Sequence, residues 1–175
     1  MCLAVLALTG ITGCPDADNS AAAMAKTPVL GLSKIIAEAK PIAPSNNDAL
    51  ITQVLKLINE RRARIGLSEL TVNPILTQMA EKYAADMIER NFFAHQNPDG
   101  QTPGERAYKE GYVFLSVGEN LAAGQESAEQ AVDEWMASPS HRDIILDPQW
   151  TEAGIGIRLG GSMNVYWVME FGNPP

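Results

Sequence analysis

Residues 154–171, GIGIRLGGSMNVYWVMEF, determine how the sheet of this chain is built. Two β-prone runs, 154–159 and 164–171, flank the turn-forming residues 160–162, Gly-Gly-Ser. Side chains alternate between the two faces of a strand, so the large apolar residues of each run share one face. These residues are Ile155, Ile157 and Leu159 in the first run and Val165, Trp167, Met169 and Phe171 in the second. The stretch predicts an antiparallel hairpin whose apolar face must be covered by helices.

Helical periodicity dominates the sequence before this hairpin. Apolar residues spaced at i, i+3, i+4 and i+7 predict an amphipathic helix over 48–65. Asn73 as N-cap and Pro74 in the first turn begin a second helix, which we expect to end near Asn91. Capping patterns or a proline in the first turn predict three shorter helices, which begin near Thr102, Ser127 and Pro139.

A single strand is predicted between these helices. Residues 112–117 are apolar and β-prone, and they lead into the Gly-Glu-Asn triplet at 118–120. The order is therefore helices, one strand, more helices and a hairpin. Helices that are separate from an antiparallel sheet are typical of the α+β class, and we expect a three-layer α-β-α sandwich with a small antiparallel sheet.

Composition excludes several classes of function. The chain has 13 Lys and Arg against 21 Asp and Glu, a formal net charge of -8, and contains no dense basic run. This balance argues against a surface that follows phosphates, so we expect no nucleic-acid partner. Both cysteines, Cys2 and Cys14, lie in the N-terminal segment. The rest of the chain must fold without disulfides and has no thiol nucleophile.

The N-terminal segment 1–14, MCLAVLALTGITGC, is predicted to be an export signal. Its apolar run is shorter than the about 20 residues that a membrane-spanning helix needs. The last four residues resemble the lipobox of bacterial lipoproteins, which implies cleavage before Cys14 and a lipid anchor on that cysteine. The alternative is a plain signal peptide in which Cys14 has no role. Residues 15–47, rich in Ala, Ser and Pro, are predicted to be a flexible tether, which leaves an extracytoplasmic domain at 48–175.

Three residues are candidates for chemistry. The only two histidines, His95 and His141, and the carboxyl of Glu119 lie in predicted loops or at predicted ends of elements, where functional side chains are often displayed. The start of a helix disfavours a charged imidazole, so His141 should be neutral and able to bind a metal or accept a proton. Spacing alone is weak evidence for a metal site, since no HExxH or paired CxxC motif is present. The residues leave open that both histidines only hydrogen-bond loops and that Glu119 accepts backbone N–H groups in a turn.

Four segments carry a resemblance to a known family: FFAHQNPDGQTPGERA (92–107), VGENLAAG (117–124), AVDEWMASPSHRDIILDP (131–148), and AGIGIRLGG with YWVMEFG (153–172). They resemble the bacterial branch of the CAP superfamily, which comprises cysteine-rich secretory proteins, antigen 5 and pathogenesis-related 1. The resemblance covers about residues 48–173 and implies an α-β-α sandwich with a central cleft. It places His95 and His141 in that cleft, together with Glu119 from the Gly-Glu-Asn motif.

The chain departs from the family pattern at the second acidic residue of the cleft. Many members have a glutamate three residues after the helix tryptophan, but three residues after Trp135 is Ser138. Glu134 lies one helical turn before that position on the same face, so it is a candidate substitute in binding. The alternative is that Glu134 is a surface carboxylate.

Two neutral imidazoles and a carboxylate suit Zn²⁺ or a similar divalent ion, with one position left for water. We therefore expect His95 and His141 to bind such a metal weakly. The leading expectation is an exported, surface-tethered, non-enzymatic protein that binds an envelope ligand through this cleft. One alternative is a metal-dependent hydrolase of peptide or cell-wall material in which Glu119 is the general base. Another is a protein that binds lipid or sterol.

Overall fold

The computed structural model describes residues 40–175, which form five helices and four strands. In chain order these are α1 Asn47–Ala63, β1 Thr71–Val72, α2 Pro74–Glu89, α3 Pro103–Lys109, β2 Ser116–Ala123, α4 Ala128–Ala137, α5 Pro139–Ile145, β3 Glu152–Leu159 and β4 Val165–Asn173. The predicted export signal 1–14, the lipidation site Cys14 and the tether up to residue 39 lie outside the described residues. Among the five helices, none is both long enough and apolar enough to cross a bilayer.

The predicted hairpin is confirmed and forms the centre of the sheet. Strands β3 and β4 pair antiparallel, with Ile157 opposite Trp167, and β2 pairs antiparallel with the other side of β4. The strand order is β1-β3-β4-β2. Strand β1, which the sequence did not reveal, adds two residues parallel to β3. The Gly-Glu-Asn strand β2 is therefore one edge of the sheet.

Helices cover both faces of the sheet, as the α-β-α prediction requires. One face packs against α1, α4 and α5, through a cluster that includes Val54, Trp135 and Ile145 with the predicted apolar face of the hairpin. The opposite face packs against α2, where Tyr83 and Met87 contact Val168. Burying both faces removes a large apolar area from water and is the main driving force for this arrangement.

Two glycines bring α2 unusually close to the sheet. A Cβ atom on Gly154 would lie 2.1 Å from the backbone carbon of Leu76, and a Cβ atom on Gly156 would lie 2.2 Å from that of Ala80. Only residues without a side chain allow the helix backbone to rest directly on β3. This contact fixes the height of α2 above the sheet, and with it the positions of the side chains that α2 directs towards β2.

The strand predicted over 112–117 was placed too early in the chain. Tyr112 is buried and donates from its hydroxyl to the carboxylate of Glu152 at 2.7 Å, whereas Val113 and Leu115 are exposed. The strand begins only at Ser116, because from there each residue to Ala123 pairs with β4. Apolar content indicated that a strand lies in this region, but pairing with β4 determines where the strand begins.

Most predicted helix starts are confirmed by their caps. The side chain of Asn73 accepts from the backbone of the first turn of α2. Thr102 and Glu105 form a reciprocal capping box on α3, and Ser127 caps α4. The chain also joins the fold before α1, since Ile42 exchanges two backbone hydrogen bonds with Leu159, of 3.0 and 2.8 Å.

Candidate functional site

Glu119 lies in the middle of β2 and not in a turn. Both neighbours, Gly118 and Asn120, pair with β4, so the alternative of a turn at this triplet is wrong. Strand alternation directs Glu119 to the face that α2 covers, where its side chain is only 1% exposed. A carboxylate buried to this degree needs partners that compensate for lost hydration.

His95 supplies one of these partners. Its ring Nδ1 lies 2.7 Å from Oε1 of Glu119, while the side chain remains 55% exposed. Because a carboxylate only accepts hydrogen bonds, the proton of a neutral His95 lies on Nδ1, and Nε2 keeps a free lone pair. The loop that carries His95 is anchored by the hydroxyl of Tyr83, which donates to the carbonyl of Ala94 at 2.5 Å. Burial raises the pKa of Tyr83, so this hydroxyl remains a donor.

Arg106 supplies the second partner and connects three segments. Its guanidinium is buried, donates to Oε2 of Glu119, and donates to the carbonyls of His95 at 2.9 Å and Gln101 at 3.1 Å. It also stacks on the ring of Tyr83, 3.4 Å from the centroid. A cation over an aromatic ring and a charge-assisted bond to a carboxylate are both favourable in a desolvated position. Arg106 therefore holds Glu119 and the His95 loop in one geometry.

A second buried carboxyl lies beside Glu119. Glu170 is its partner across the β2–β4 register and is 0% exposed. Burial, and then the negative charge of Glu119, raise the pKa of Glu170 well above its ordinary value, while the charge of Arg106 opposes this. The site therefore contains two carboxyl groups around a single buried guanidinium.

His141 approaches from α5, in the first turn of that helix. Asn120 on β2 donates from its side chain to the backbone carbonyl of His141 at 3.0 Å, which ties α5 to the strand that carries Glu119. The pKa of His141 is lowered by burial and then by the charge of His95. The direction agrees with the expected neutral imidazole, although burial and not the helix end is the main cause.

Glu134 has hydrogen-bond partners other than His95, Glu119 and His141. It is exposed on α4, and its carboxylate accepts hydrogen bonds from the side chains of Gln125 at 2.5 Å and Gln130 at 2.9 Å. The structure thus joins His95 to Glu119 by a hydrogen bond and ties the backbone of His141 to the neighbouring Asn120, while Glu134 lies on the surface in a local hydrogen-bond network.

The expected metal site can be compared with the arrangement of these side chains. Within residues 40–175, no group of three or more His, Cys, Asp or Glu side chains is arranged to hold a metal ion. Both oxygens of Glu119 are already engaged, by His95 and Arg106. Glu119 is therefore placed to orient His95, as carboxylates behind metal-binding histidines commonly do. Its side chain is only 1% exposed, which leaves it poorly placed to take a proton from a water molecule.

Sequence reasoning missed Glu170 as a member of the site, and for Arg106 it favoured a solvated ion pair over a bridge to a carboxylate near the cleft, which is wrong. For Glu170 a pattern was available, since it alternates with Tyr166 and Val168 on the face opposite Trp167, where an unpaired acid is unexpected. For Arg106 the sequence offered only its place in the conspicuous segment 92–107. The missing information was that α3 packs beside β2.

Comparisons with known proteins point to one family. The family model described as "Cysteine-rich secretory protein family" (CAP) matches residues 55–171. An uncharacterized protein of Bacillus subtilis, YkwD, is 35% identical over 129 residues, which make up 74% of this chain and 49% of that protein. The chain thus spans about half the length of this relative.

Solved structures share the same fold. An outer surface protein from Borrelia burgdorferi superposes with a TM-score of 0.70 at 24% identity, covering 77% of this chain and 99% of that one. An extracellular protein containing a SCP domain from Bacillus anthracis superposes with a TM-score of 0.65 at 27% identity, covering 77% of this chain and 45% of that one. These likenesses confirm the predicted α-β-α architecture.

Proposed function

This chain belongs to the cysteine-rich secretory protein (CAP) family, and from that premise we propose that it is an extracytoplasmic binding protein whose ligand site is the cleft formed by His95, Glu119 and His141. The proposal is of a binding protein, not an enzyme, because the carboxylate that would act as general base is buried away from water and is held by His95 and Arg106. The ligand we propose is a component of the cell envelope.

The His95–Glu119 hydrogen bond is the observation that carries this proposal. A buried carboxylate, held by Arg106, fixes the ring of a half-exposed histidine and leaves its Nε2 available. Buried polar groups are costly, and a chain retains them where they preorganise a site or specify a structure. His95 is the exposed end of this arrangement, so we infer that its ring contacts the ligand.

The proposed location draws on the relatives and on the N-terminal segment. The Bacillus anthracis protein is described as extracellular and the Borrelia protein as an outer surface protein. Together with the export signal expected at 1–14 and the lipid expected on Cys14, they support a domain tethered to a membrane on its outer side. The net charge of -8 gives no support for a nucleic-acid partner.

The proposal includes a weak divalent-metal site at His95 and His141. A Zn²⁺ ion would be bound by His95 through Nε2 and by an imidazole nitrogen of His141, and it would polarise an oxygen of the ligand. Glu119 would orient the ring of His95 through Nδ1. Two protein ligands give lower affinity than the three or four of established zinc sites.

Calorimetric titration with Zn²⁺ tests the metal site. We expect wild type to bind Zn²⁺ and the double variant His95→Ala/His141→Ala to bind at least about 10-fold more weakly, because even the loss of a group that only orients a metal ligand has an effect of that size. Glu134→Gln, which changes a carboxylate outside the cleft, is the matched control and should bind like wild type. Equal affinity in wild type and the double variant, with both folded by circular dichroism, would refute the metal site.

A further inference from the structure

The proposed function leaves Glu170 without a role in the cleft. Its side chain is 0% exposed, and neither carboxyl oxygen has a hydrogen-bond partner among residues 40–175 other than the neighbouring carboxyl of Glu119. A buried, ionised carboxylate with no donor would be strongly destabilising, so the group must either be compensated or be neutral.

The groups around Glu170 do not provide a compensating charge. Arg106, from α3, directs its guanidinium to Glu119 and to the backbone carbonyls of His95 and Gln101. Tyr83, from α2, already donates its hydroxyl proton to Ala94. The remaining neighbouring strand, β3, places Gly154 opposite Glu170, which contributes no side chain.

Two adjacent carboxyl groups that share one cation cannot both be ionised without strong repulsion. Glu119 is the better of the two anions, since it accepts from both Arg106 and His95, whereas Glu170 has neither partner. The proton therefore belongs on Glu170. The acceptor within its reach is the carboxylate of Glu119, its cross-strand neighbour.

We propose that Glu170 is a neutral carboxylic acid that donates a hydrogen bond to Glu119 and so positions that carboxylate for His95. Glu119 then receives three donors, from His95, Arg106 and Glu170, and its orientation is fully fixed. Glu170 is a positioning residue, because it acts through Glu119 and not on a ligand. The positioning role rests on the proposed binding site, but the protonation of Glu170 does not.

Infrared spectroscopy of the full chain, without metal, tests the protonation. A protonated carboxyl absorbs well apart from a carboxylate, and Glu170→Gln identifies which band belongs to this residue. At pH 7 we expect wild type to show a protonated band that disappears in Glu170→Gln. If wild type and Glu170→Gln absorb identically in the carboxylic-acid region at pH 7, Glu170 is ionised and the proposal is overturned.

Imidazole ¹⁵N NMR of the metal-free protein tests the positioning. Gln at 170 keeps a neutral donor, so Glu170→Gln should retain the wild-type signals of His95, with its proton on Nδ1. Leu has a similar volume but no donor, so Glu170→Leu should shift these signals towards a mixture of tautomers. Glu152→Gln is the control, since that carboxylate accepts from Asn73 and Tyr112, away from His95.

The outcomes separate this proposal from the binding function. Unchanged His95 signals in a folded Glu170→Leu variant would show that Glu170 only fills space. If Glu170→Leu does not fold, Glu170→Gln provides the test instead. A change of the His95 signals in that variant would contradict the proposal, because the signals would then depend on the charge of Glu170 and not on a hydrogen-bond donor. Neither readout uses Zn²⁺, so failure to bind the metal leaves both results interpretable.

Discussion

Gly156→Ala is expected to lower the free energy of unfolding by about 3 kcal/mol or more, near the upper end of the stability losses that overpacking a core causes. The added Cβ would lie 2.2 Å from the backbone carbon of Ala80 and 2.3 Å from the backbone nitrogen of Glu81. Normal contact between such atoms is roughly 3.5–4.0 Å. Helix backbone cannot rotate away as a side chain can, so α2 as a whole must move off the sheet. That shift would also displace Tyr83, which anchors the His95 loop.

Urea denaturation of Gly156→Ala beside Gly104→Ala measures this effect. Gly104 lies in α3, has its nearest side-chain neighbours at 3.9 Å and has no positive φ. Its substitution should change the free energy of unfolding by no more than about 0.5–1 kcal/mol. Equal stabilities for the two variants would mean that α2 does not rest directly on β3.

Replacing Arg62 by methionine should destabilise the fold by about 3–5 kcal/mol. Arg62 is 0% exposed, and its guanidinium donates to four backbone carbonyls. These belong to Ser68 at 3.0 Å, Ile145 at 2.7 Å, Asp147 at 2.9 Å and Trp150 at 3.1 Å. Burial lowers the pKa of Arg62 and the charge of Asp147 opposes this. Methionine fills the volume but leaves the four carbonyls without these donors, one of them between α1 and β1 and the other three from the end of α5 to Trp150.

Arg61→Met is the matched control, one residue earlier on the same helix. Arg61 pairs with Asp133 at 2.7 Å, where the Asp133 side chain is largely exposed, so its loss should change stability by less than about 1 kcal/mol. Thermal and urea unfolding of both variants give the comparison. A loss for Arg62→Met no greater than for Arg61→Met would show that the four hydrogen bonds do not stabilise the native state.

Local patterns predicted the elements whose structure is set locally. The alternating hairpin strands and the caps at Asn73, Thr102 and Ser127 were identified correctly, because strand alternation and capping depend on residues a few positions apart. The start of β2 was missed because it depends on pairing with β4, about 50 positions later in the chain. Strand β1 was missed for a similar reason, since two residues gain strand geometry only beside β3.

The same distinction applies to the site. His95, Glu119 and His141 were identified through their resemblance to a family, and the structure places His95 against Glu119. Arg106 and Glu170 depend on which elements pack against β2 and β4, which no short pattern encodes. The sequence shows glycines at two alternate positions of β3, Gly154 and Gly156, but their contact with α2 could be seen only in the tertiary structure.

Convergence of the two imidazoles in one site is tested most directly by ¹⁵N NMR of His95 and His141 during a Zn²⁺ titration. We expect signals from both rings to shift with a single midpoint, with the change at His95 confined mainly to Nε2 because Nδ1 is engaged by Glu119. Glu119→Gln should move this midpoint to about 10-fold higher Zn²⁺ concentration. Shifts at only one ring, or at two clearly different midpoints, would contradict a shared site.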